Sequence, residues 1–143
     1  MDLACGKGAV SVKLAQKLGV RVKGLDLTPA FVEYARQKAE EFGVQELLEF
    51  AVEDVNAAVR EERGYDCVIF GSASNVLGSP GETLAKLRET IRPGGYILID
   101  ESYLPDEEGQ KEIKYKNCDY LTEGQWATLF REAGLELVEA VSL

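Results

Sequence analysis

The sequence predicts an α/β fold, a doubly wound and mostly parallel sheet with helices on both faces, in three layers. Short apolar runs alternate with segments of helical pattern along the whole chain, which is typical of a parallel sheet flanked by helices. The run at residues 67–70 is continuously apolar, as in a strand that is buried on both faces. Acidic or glycine-rich residues follow the apolar runs, and parallel sheets bind ligands at the carboxyl ends of their strands.

Two helices are predicted in the first third of the chain. Apolar residues recur at helix spacing over residues 8–18, and Gly19 is typical of a helix end. Thr28 and Pro29 predict an N-cap and a first helical position for a second helix, which ends before Gly43. The residues predicted to face the core are Val10, Leu14, Ala15 and Leu18 on the first helix, and Phe31, Tyr34, Ala35, Ala39 and Phe42 on the second.

The other elements continue the alternation. Strands are predicted over residues 20–25 and 48–52, and the segment 55–63 is weakly helical. Thr122 and Gln125 form a capping box that predicts the start of a helix. The remaining predictions are a polar loop over residues 71–75, a helix through Leu84, Leu87 and Ile91 that ends at residues 93–95, a strand over residues 96–99, a helical face of Trp126, Leu129, Phe130 and Ala133, and a last strand over residues 135–143.

A length of 143 residues predicts a single domain over residues 1–143. Residues 101–121 lie between a strand and a helix, and they exceed the usual connection of about 2–6 residues. They hold three tyrosines and several acidic residues. Two interpretations stay open for this insertion, a solvated surface loop and a substrate cap over a site at the strand ends.

Composition excludes several classes of function. Sixteen basic against twenty-five acidic residues give a net charge of −9, which repels phosphate backbones, so no nucleic-acid partner is expected. The absence of histidine excludes a Ser-His-Asp triad and a His-ligated zinc site. No apolar run approaches the roughly 18–20 residues of a membrane span, and the first residues lack the pattern of a signal peptide, so none is expected. Cys5, Cys67 and Cys118 lack metal-type spacing and fit reduced thiols, so we expect a cytoplasmic protein with no metal site and no membrane partner.

The candidate binding site begins with a glycine turn, DLACGKG at residues 2–8. Gly6 and Gly8 let the main chain approach a ligand closely, and the start of the next helix offers unpaired N–H groups. Asp26, eighteen residues past Gly8, ends the next strand and suits a ribose diol, and Asp54 ends the third and suits an exocyclic amine. Together they describe a site for an adenosine-bearing ligand, although each alone also fits a structural turn, a helix cap or a solvated acid.

Five segments carry a resemblance to a known family. The turn at residues 2–8 closely resembles the first motif of the class I S-adenosylmethionine-dependent methyltransferases. The stretches GLDLTP, VEDV and YDCVIF, which begin at residues 24, 52 and 65, are similar to the second, third and fourth motifs, and residues 87–99 resemble the helix, turn and strand that follow. The resemblance spans nearly the entire chain. It implies a Rossmann-like fold, S-adenosyl-L-methionine as cofactor and methyl transfer to a small-molecule acceptor.

The resemblance also implies roles for single residues. The cofactor-binding set is Asp2, Ala4, Gly6, Gly8, Asp26, Leu27, Asp54, Val55, Phe70, Gly71 and Ser72. In this set Asp2 faces the ammonium group, Asp26 takes the ribose hydroxyls and Leu27 packs on the adenine. Asp54 accepts from the adenine amine beside the Val55 N–H, and residues 70–72 lie beside the sulfonium. The side chains of Leu27, Val55 and Phe70 fit a plain core position equally well.

A nicotinamide dinucleotide fold is the main competitor, because it also has a glycine turn with an acid about twenty residues on. Its third glycine would fall at Ser11. Asp2, four residues before Gly6, suits a cationic amino acid group and repels a pyrophosphate. Charge therefore favours the methyl donor.

Turnover needs a base only where the acceptor must lose a proton. Without histidine, the candidates are Glu101, Tyr103 or a water held by Ser72 or Asn75. Met1 directly precedes the first motif and the chain stops at Leu143, which predicts a family member trimmed at both ends, with lower stability, a homodimer or lost turnover as consequences. The alternatives to a methyltransferase are a cofactor-binding module without activity and an NAD-dependent oxidoreductase.

Overall fold

The computed structural model describes residues 1–71, 73–104 and 120–141. Its main sheet has five strands, which are β1 (Asp2–Leu3), β2 (Val22–Asp26), β3 (Leu48–Val52), β4 (Tyr65–Gly71) and β5 (Ile91–Asp100). The helices are α1 (Ala9–Leu18), α2 (Pro29–Glu41), α3 (Val55–Glu61), α4 (Pro80–Thr90) and α5 (Glu123–Glu132), with short 3-10 helices at Gln45–Leu47 and Ser74–Leu77. No helix in the described part of the chain has the length and apolar character needed to cross a membrane.

The sheet order is β3-β2-β1-β4-β5, and all four strand pairs are parallel. From the central β1 the chain builds outward through β2 and β3, then returns to the other side of β1 for β4 and β5. The α/β prediction is confirmed. Ligands of such sheets bind where the strand order reverses, which here is the carboxyl edge between β1 and its two neighbours.

Two core clusters lie on opposite faces of this sheet, as the alternation of side chains along the strands requires. One cluster, around Leu3, Phe70 and Leu87, packs under α3 and α4. The other, around Val32, Ala35 and Phe50, packs under α1 and α2.

The predicted inward faces of α1 and α2 are wrong in part. On α1 the buried residues are Ser11, Val12 and Ala15, whereas Val10 and Leu18 are exposed. On α2 they are Val32, Ala35 and Ala39, whereas Phe31, Tyr34 and Phe42 are exposed. For α2 the reason is close packing, because a Cβ added at Gly8 would lie 2.8 Å from the Ala35 Cβ, so only small side chains fit between the glycine turn and this helix.

The capped helix starts are confirmed with one difference. In α5, Thr122 accepts a hydrogen bond from the Gln125 N–H, and the Gln125 side chain accepts one from the Thr122 N–H, so the predicted capping box forms. Pro29 occupies the first turn of α2, but the Thr28 side chain makes no capping hydrogen bond. The Thr28 N–H donates to Asp26 instead.

Two predictions for the second half of the chain are wrong. Strand β5 begins at Ile91, so residues 93–95 lie inside it rather than closing a helix. A register shift between Tyr65 and Cys67 and the close approach of Gly95 to the Tyr65 carbonyl let the strand continue through them. Residues 135–141 form no strand, because they make no ladder with β5. Residues 142–143 lie outside the described part.

The predicted insertion is described only at its ends. Tyr103–Leu104 (β6) pairs in parallel with Leu121–Thr122 (β7) as a separate two-stranded sheet. Residues 105–119, which hold most of the acidic residues and Cys118, lie outside the described residues. The two interpretations of this segment, loop or substrate cap, therefore stay as predictions.

Candidate functional site

The sequence-predicted site residues gather along the carboxyl edge of the sheet. Asp26 is the last residue of β2 and Gly71 the last of β4. The glycine turn leaves β1 between them, and Asp54 follows β3 by two residues. Since these strands are neighbours and parallel, the turn, Asp26 and Asp54 share one edge.

The glycine turn alternates between ordinary and left-handed backbone. Ala4, Gly6 and Gly8 have φ values of 57°, 54° and 75°. The Cys5 N–H donates to the Leu25 carbonyl at 2.9 Å, which ties the turn to β2. A left-handed Ala costs roughly 1–2 kcal/mol, so Ala4 is a strained position that the turn requires.

The two glycines of the turn differ in their surroundings. A Cβ added at Gly6 would meet no atom within 4 Å. One added at Gly8 would lie 2.8 Å from the Ala35 Cβ and 2.9 Å from the Phe50 ring. Gly6 therefore borders open space at the strand ends, where a ligand can approach its main chain, whereas Gly8 is required by packing.

Asp26 holds the turn in place. The Gly6 N–H donates to its Oδ2 at 2.9 Å, and the Thr28 N–H donates to its Oδ1 at 2.9 Å. Each oxygen keeps further acceptor capacity, because an ionised carboxylate accepts about four hydrogen bonds. Asp26 thus joins the first and second predicted motifs and still presents a carboxylate at the edge.

Asp2 lies deeper than the other two acids. It precedes the last residue of β1 and is only 4% exposed. The Ser11 hydroxyl donates to its Oδ2 at 2.6 Å. Burial raises the pKa of Asp2, and the hydrogen bond from Ser11 partly opposes that rise. Asp2 is thus a buried carboxylate directly before the glycine turn, and it is almost closed to bulk solvent.

The third strand end offers one acid and one exposed apolar side chain nearby. Asp54 is exposed and caps α3 by accepting from the Asn56 N–H at 2.8 Å. Leu27, just past β2, is 68% exposed, which leaves its side chain free to pack against a ring. Val55 is buried in the core. Its side chain therefore occupies a plain core position, and only its main chain lies at the edge.

The predicted methyl-transfer end is described in part. Phe70 is 1% exposed, so its side chain belongs to the core and only its main chain can line a site. Gly71 ends β4 beside Asp100 of β5, and Ser72 lies outside the described residues. Glu101 follows β5, and Tyr103 lies in β6. Burial, followed by the charge of Asp100, raises the pKa of Glu101.

Cys5 lies inside the turn, and its thiol is unreactive. Burial, and then the charges of Asp2 and Asp26, raise the pKa of its thiol to about 12. The thiol therefore stays neutral at physiological pH, and a thiolate is the reactive form. Among the described residues no group of His, Cys, Asp and Glu side chains could hold a metal ion.

Three participants were not identified from the sequence. Ser11 entered only as a missing glycine, although a serine on the first turn of α1 has the reach to pair with an acid in β1. Phe50, which fills the space beneath Gly8 and Gly24, carried no signal beyond its place in a strand. Asn56, which contacts both Asp54 and the Val76 carbonyl, lies in the segment predicted as weakly helical.

Comparison with known proteins points to one family. A family profile described as "Methyltransferase domain" matches residues 1–134. YjhP of Escherichia coli strain K12 is 28% identical over an alignment of 146 positions, which covers 99% of this chain and 58% of that protein. The ubiquinone biosynthesis O-methyltransferase of Burkholderia pseudomallei strain 1710b is 29% identical, over 97% of this chain and 65% of that protein.

Comparison with solved structures points to the same family. A SAM-dependent methyltransferase from Thiobacillus denitrificans, in complex with S-adenosyl-L-homocysteine, superposes with a TM-score of 0.80 at 28% identity, over 96% of this chain and 57% of that one. The chain thus spans little more than half the length of several relatives. Because the family profile covers nearly all of it, the chain belongs to the methyltransferase domain family, which confirms the resemblance to the class I S-adenosylmethionine-dependent methyltransferases.

Proposed function

We propose that this domain binds S-adenosyl-L-methionine along the carboxyl edge of its sheet and transfers the methyl group to a small-molecule acceptor. The observation that carries the proposal is the bond from the Gly6 N–H to the Asp26 carboxylate. The turn already holds an anion of its own, and a second carboxylate, Asp2, lies beneath it. Such a turn favours a positively charged nucleoside over a pyrophosphate.

The proposed contacts follow from what each residue presents at the edge. Asp26 accepts from the ribose hydroxyls with the capacity that Gly6 and Thr28 leave unused. Asp54 accepts from the adenine amine, and the exposed Leu27 covers the adenine face. The main chain at Gly6 faces the methionine half, where Asp2 attracts the ammonium group.

Methyl transfer requires the protein mainly to position the methyl donor and the acceptor. When bound, the cofactor would supply an electrophilic methyl group on its sulfonium, and S-adenosylhomocysteine would leave as the acceptor bonds to the methyl carbon in line. The strand ends hold donor and acceptor at a fixed distance, an effect that contributes roughly 7–11 kcal/mol. Where the acceptor carries a proton, Glu101 is the proposed base, because it follows β5 at the carboxyl edge, and partial burial and the charge of Asp100 raise its pKa.

The small-molecule acceptor is supported by one relative in particular. The Burkholderia protein is named for an O-methylation in ubiquinone biosynthesis. The acidic character of this chain, with a net charge of −9, favours a neutral or cationic acceptor over an anionic one. A single domain, a cytoplasmic location and a homodimer stay predictions from the sequence.

Calorimetric titration tests the proposal with S-adenosylmethionine, S-adenosylhomocysteine and NAD on one sample. We expect binding of the first two and none of NAD. Asp26→Ala is expected to weaken binding by about tenfold or more, because it removes charge-assisted hydrogen bonds. Glu33→Ala is the matched control, since it removes the same charge from the exposed side of α2. Binding of NAD alone, or an unchanged affinity in Asp26→Ala, would overturn the proposal.

The chain spans 57% of its solved relative, and cofactor binding without turnover is the alternative function. It predicts the same calorimetry but no methyl transfer. A radiolabelled methyl group offered with neutral and cationic phenols and amines separates the two functions. Label in any acceptor excludes the binding-only alternative.

A further inference from the structure

The Asp54 carboxylate is held through one of its two oxygens. The Asn56 N–H donates to Oδ1 at 2.8 Å, and the Asn56 side-chain amide donates to the same Oδ1 at 3.4 Å. Among the described residues no other donor bonds this carboxylate. Oδ2 is thereby left for a donor that arrives from outside the protein.

The same amide also reaches a second part of the edge. Asn56 Nδ2 donates to the Val76 carbonyl at 3.0 Å, across twenty residues of sequence. Val76 belongs to the short 3-10 helix at Ser74–Leu77, which follows β4. An amide nitrogen carries two hydrogens, so one side chain can serve both acceptors.

A second tether holds this 3-10 helix without touching Asp54. Lys86 of α4 donates to the Leu77 carbonyl at 2.5 Å. Leu77 is itself fully buried, whereas the Val76 side chain is 45% exposed. The segment therefore has one anchor from α4 and one from Asn56, and only the second also contacts an acid of the site.

We propose that Asn56 is a positioning residue that sets the specificity for the adenine base. Its side chain fixes the rotation of the Asp54 carboxylate and couples it to the segment after β4. Without that side chain, the main-chain N–H alone holds Asp54, and Oδ2 no longer has one direction. The inference rests on the proposed function, because it requires Asp54 to accept from the amine of the cofactor.

The test compares two ligands that differ at C6 of the purine. S-adenosylhomocysteine carries an amino group there, and S-inosylhomocysteine carries an oxygen, which a carboxylate repels. We expect the wild-type domain to prefer the adenine ligand. Asn56→Ala should reduce that preference by about three- to tenfold, the range for one lost hydrogen bond of ordinary net strength. Calorimetry of both ligands gives the ratio of the two dissociation constants for each variant.

Two further variants make the result specific. Asn56→Asp keeps the shape and places an acid in the first turn of α3, where an acid favours the helix, yet it loses the donor and should reduce the preference at least as much. Lys86→Met removes the other tether and should leave the ratio unchanged, whatever it does to overall affinity. A wild-type ratio in both Asn56 variants would overturn this inference alone. Failure of the wild-type domain to bind S-adenosylhomocysteine would overturn this inference and the proposed function together.

Discussion

The helices on the two faces of the sheet pack in different ways beneath its carboxyl edge. On the α1–α2 face, Gly8 and Ala35 bring the turn and a helix so close that no methyl group fits between them. On the α3–α4 face, the core consists of larger side chains, among them Leu77, Leu84 and Leu87, all fully buried. Large side chains have alternative packings, whereas a contact between a glycine and an alanine has none.

The buried hydroxyl groups of the two faces also differ, in whether their hydrogen-bond partner is charged. Ser11 on the α1 side donates to a buried carboxylate, Asp2. Thr90 on the α4 side donates to a neutral carbonyl, that of Leu87. The face that shapes the glycine turn therefore depends on close contacts and charge, and the opposite face depends on apolar volume. We infer that substitutions on the first face change stability and binding together, and that those on the second change mainly stability.

The largest expected effect separates the two glycines of the turn. Gly8→Ala places a methyl group 2.8 Å from the Ala35 Cβ at a φ of 75°, so we expect a loss of about 2–5 kcal/mol in the free energy of unfolding. Gly6→Ala meets no neighbouring atom and should lose only the roughly 1–2 kcal/mol of the left-handed backbone. Urea denaturation measures both values.

Ligand affinity gives a second comparison of Gly6→Ala with Gly8→Ala. The new methyl group of Gly6→Ala projects into the open space of the edge, so it should reduce the affinity for S-adenosylhomocysteine beyond its effect on stability. If Gly8→Ala proves as stable as Gly6→Ala, the close contact with α2 does not constrain the turn, and the distinction between the two faces fails.

The comparison also shows how much the sequence could predict. The order of elements, the glycine turn and the acids at the ends of β2 and β3 follow from local patterns, because periodicity and turn chemistry are local properties. The inward faces of α1 and α2 do not, since Phe31 and Tyr34 are turned outward by the nearness of Gly8 to Ala35. That distance depends on how two helices pack, which a single segment does not encode.

The predictions for the second half of the chain were wrong for a similar reason. Pro93 and the two glycines after it are typical of a turn, yet the pairing of Ile91 and Tyr96 with β4, on either side of them, keeps residues 93–95 within β5. Residues 135–141 have the composition of a strand, but a strand exists only where a partner supplies the ladder. In the site, Asp26 could be located from spacing, whereas its bond to Gly6 and the contacts of Asn56 depend on the tertiary structure.

A smaller effect distinguishes the two buried hydroxyls by their pH dependence. Ser11→Ala removes the donor to Asp2 and should cost about 1–3 kcal/mol at pH 7. The pKa of Asp2 is already raised in the folded state, so its contribution to stability is complete below the unfolded value and is lost as pH rises through the folded one. Ser11→Ala raises that folded pKa further. Its deficit should therefore shrink as pH falls toward 3.8, the unperturbed value.

Thr90→Val is the matched control for this measurement. It also removes a buried hydroxyl, but the partner of Thr90 is a carbonyl without a charge, so its deficit should be the same at pH 7 and near pH 4. Urea denaturation of the three proteins at several pH values gives the comparison. A pH-independent deficit in Ser11→Ala would mean that Asp2 does not depend on this hydroxyl.

The smallest expected effect is a gain in stability within the turn. Ala4 has a φ of 57°, and replacement by glycine relieves a left-handed strain of roughly 1–2 kcal/mol at an entropic cost of about 0.5–1 kcal/mol. The methyl group of Ala4 also packs against the core, so we expect a net gain of about 0.5 kcal/mol in Ala4→Gly. Ala85→Gly is the control, because Ala85 is exposed in the middle of the helix α4 and should lose about 1 kcal/mol. Urea midpoints that fall in both variants would show that contacts of the Ala4 methyl group, rather than backbone strain, dominate at the start of the turn.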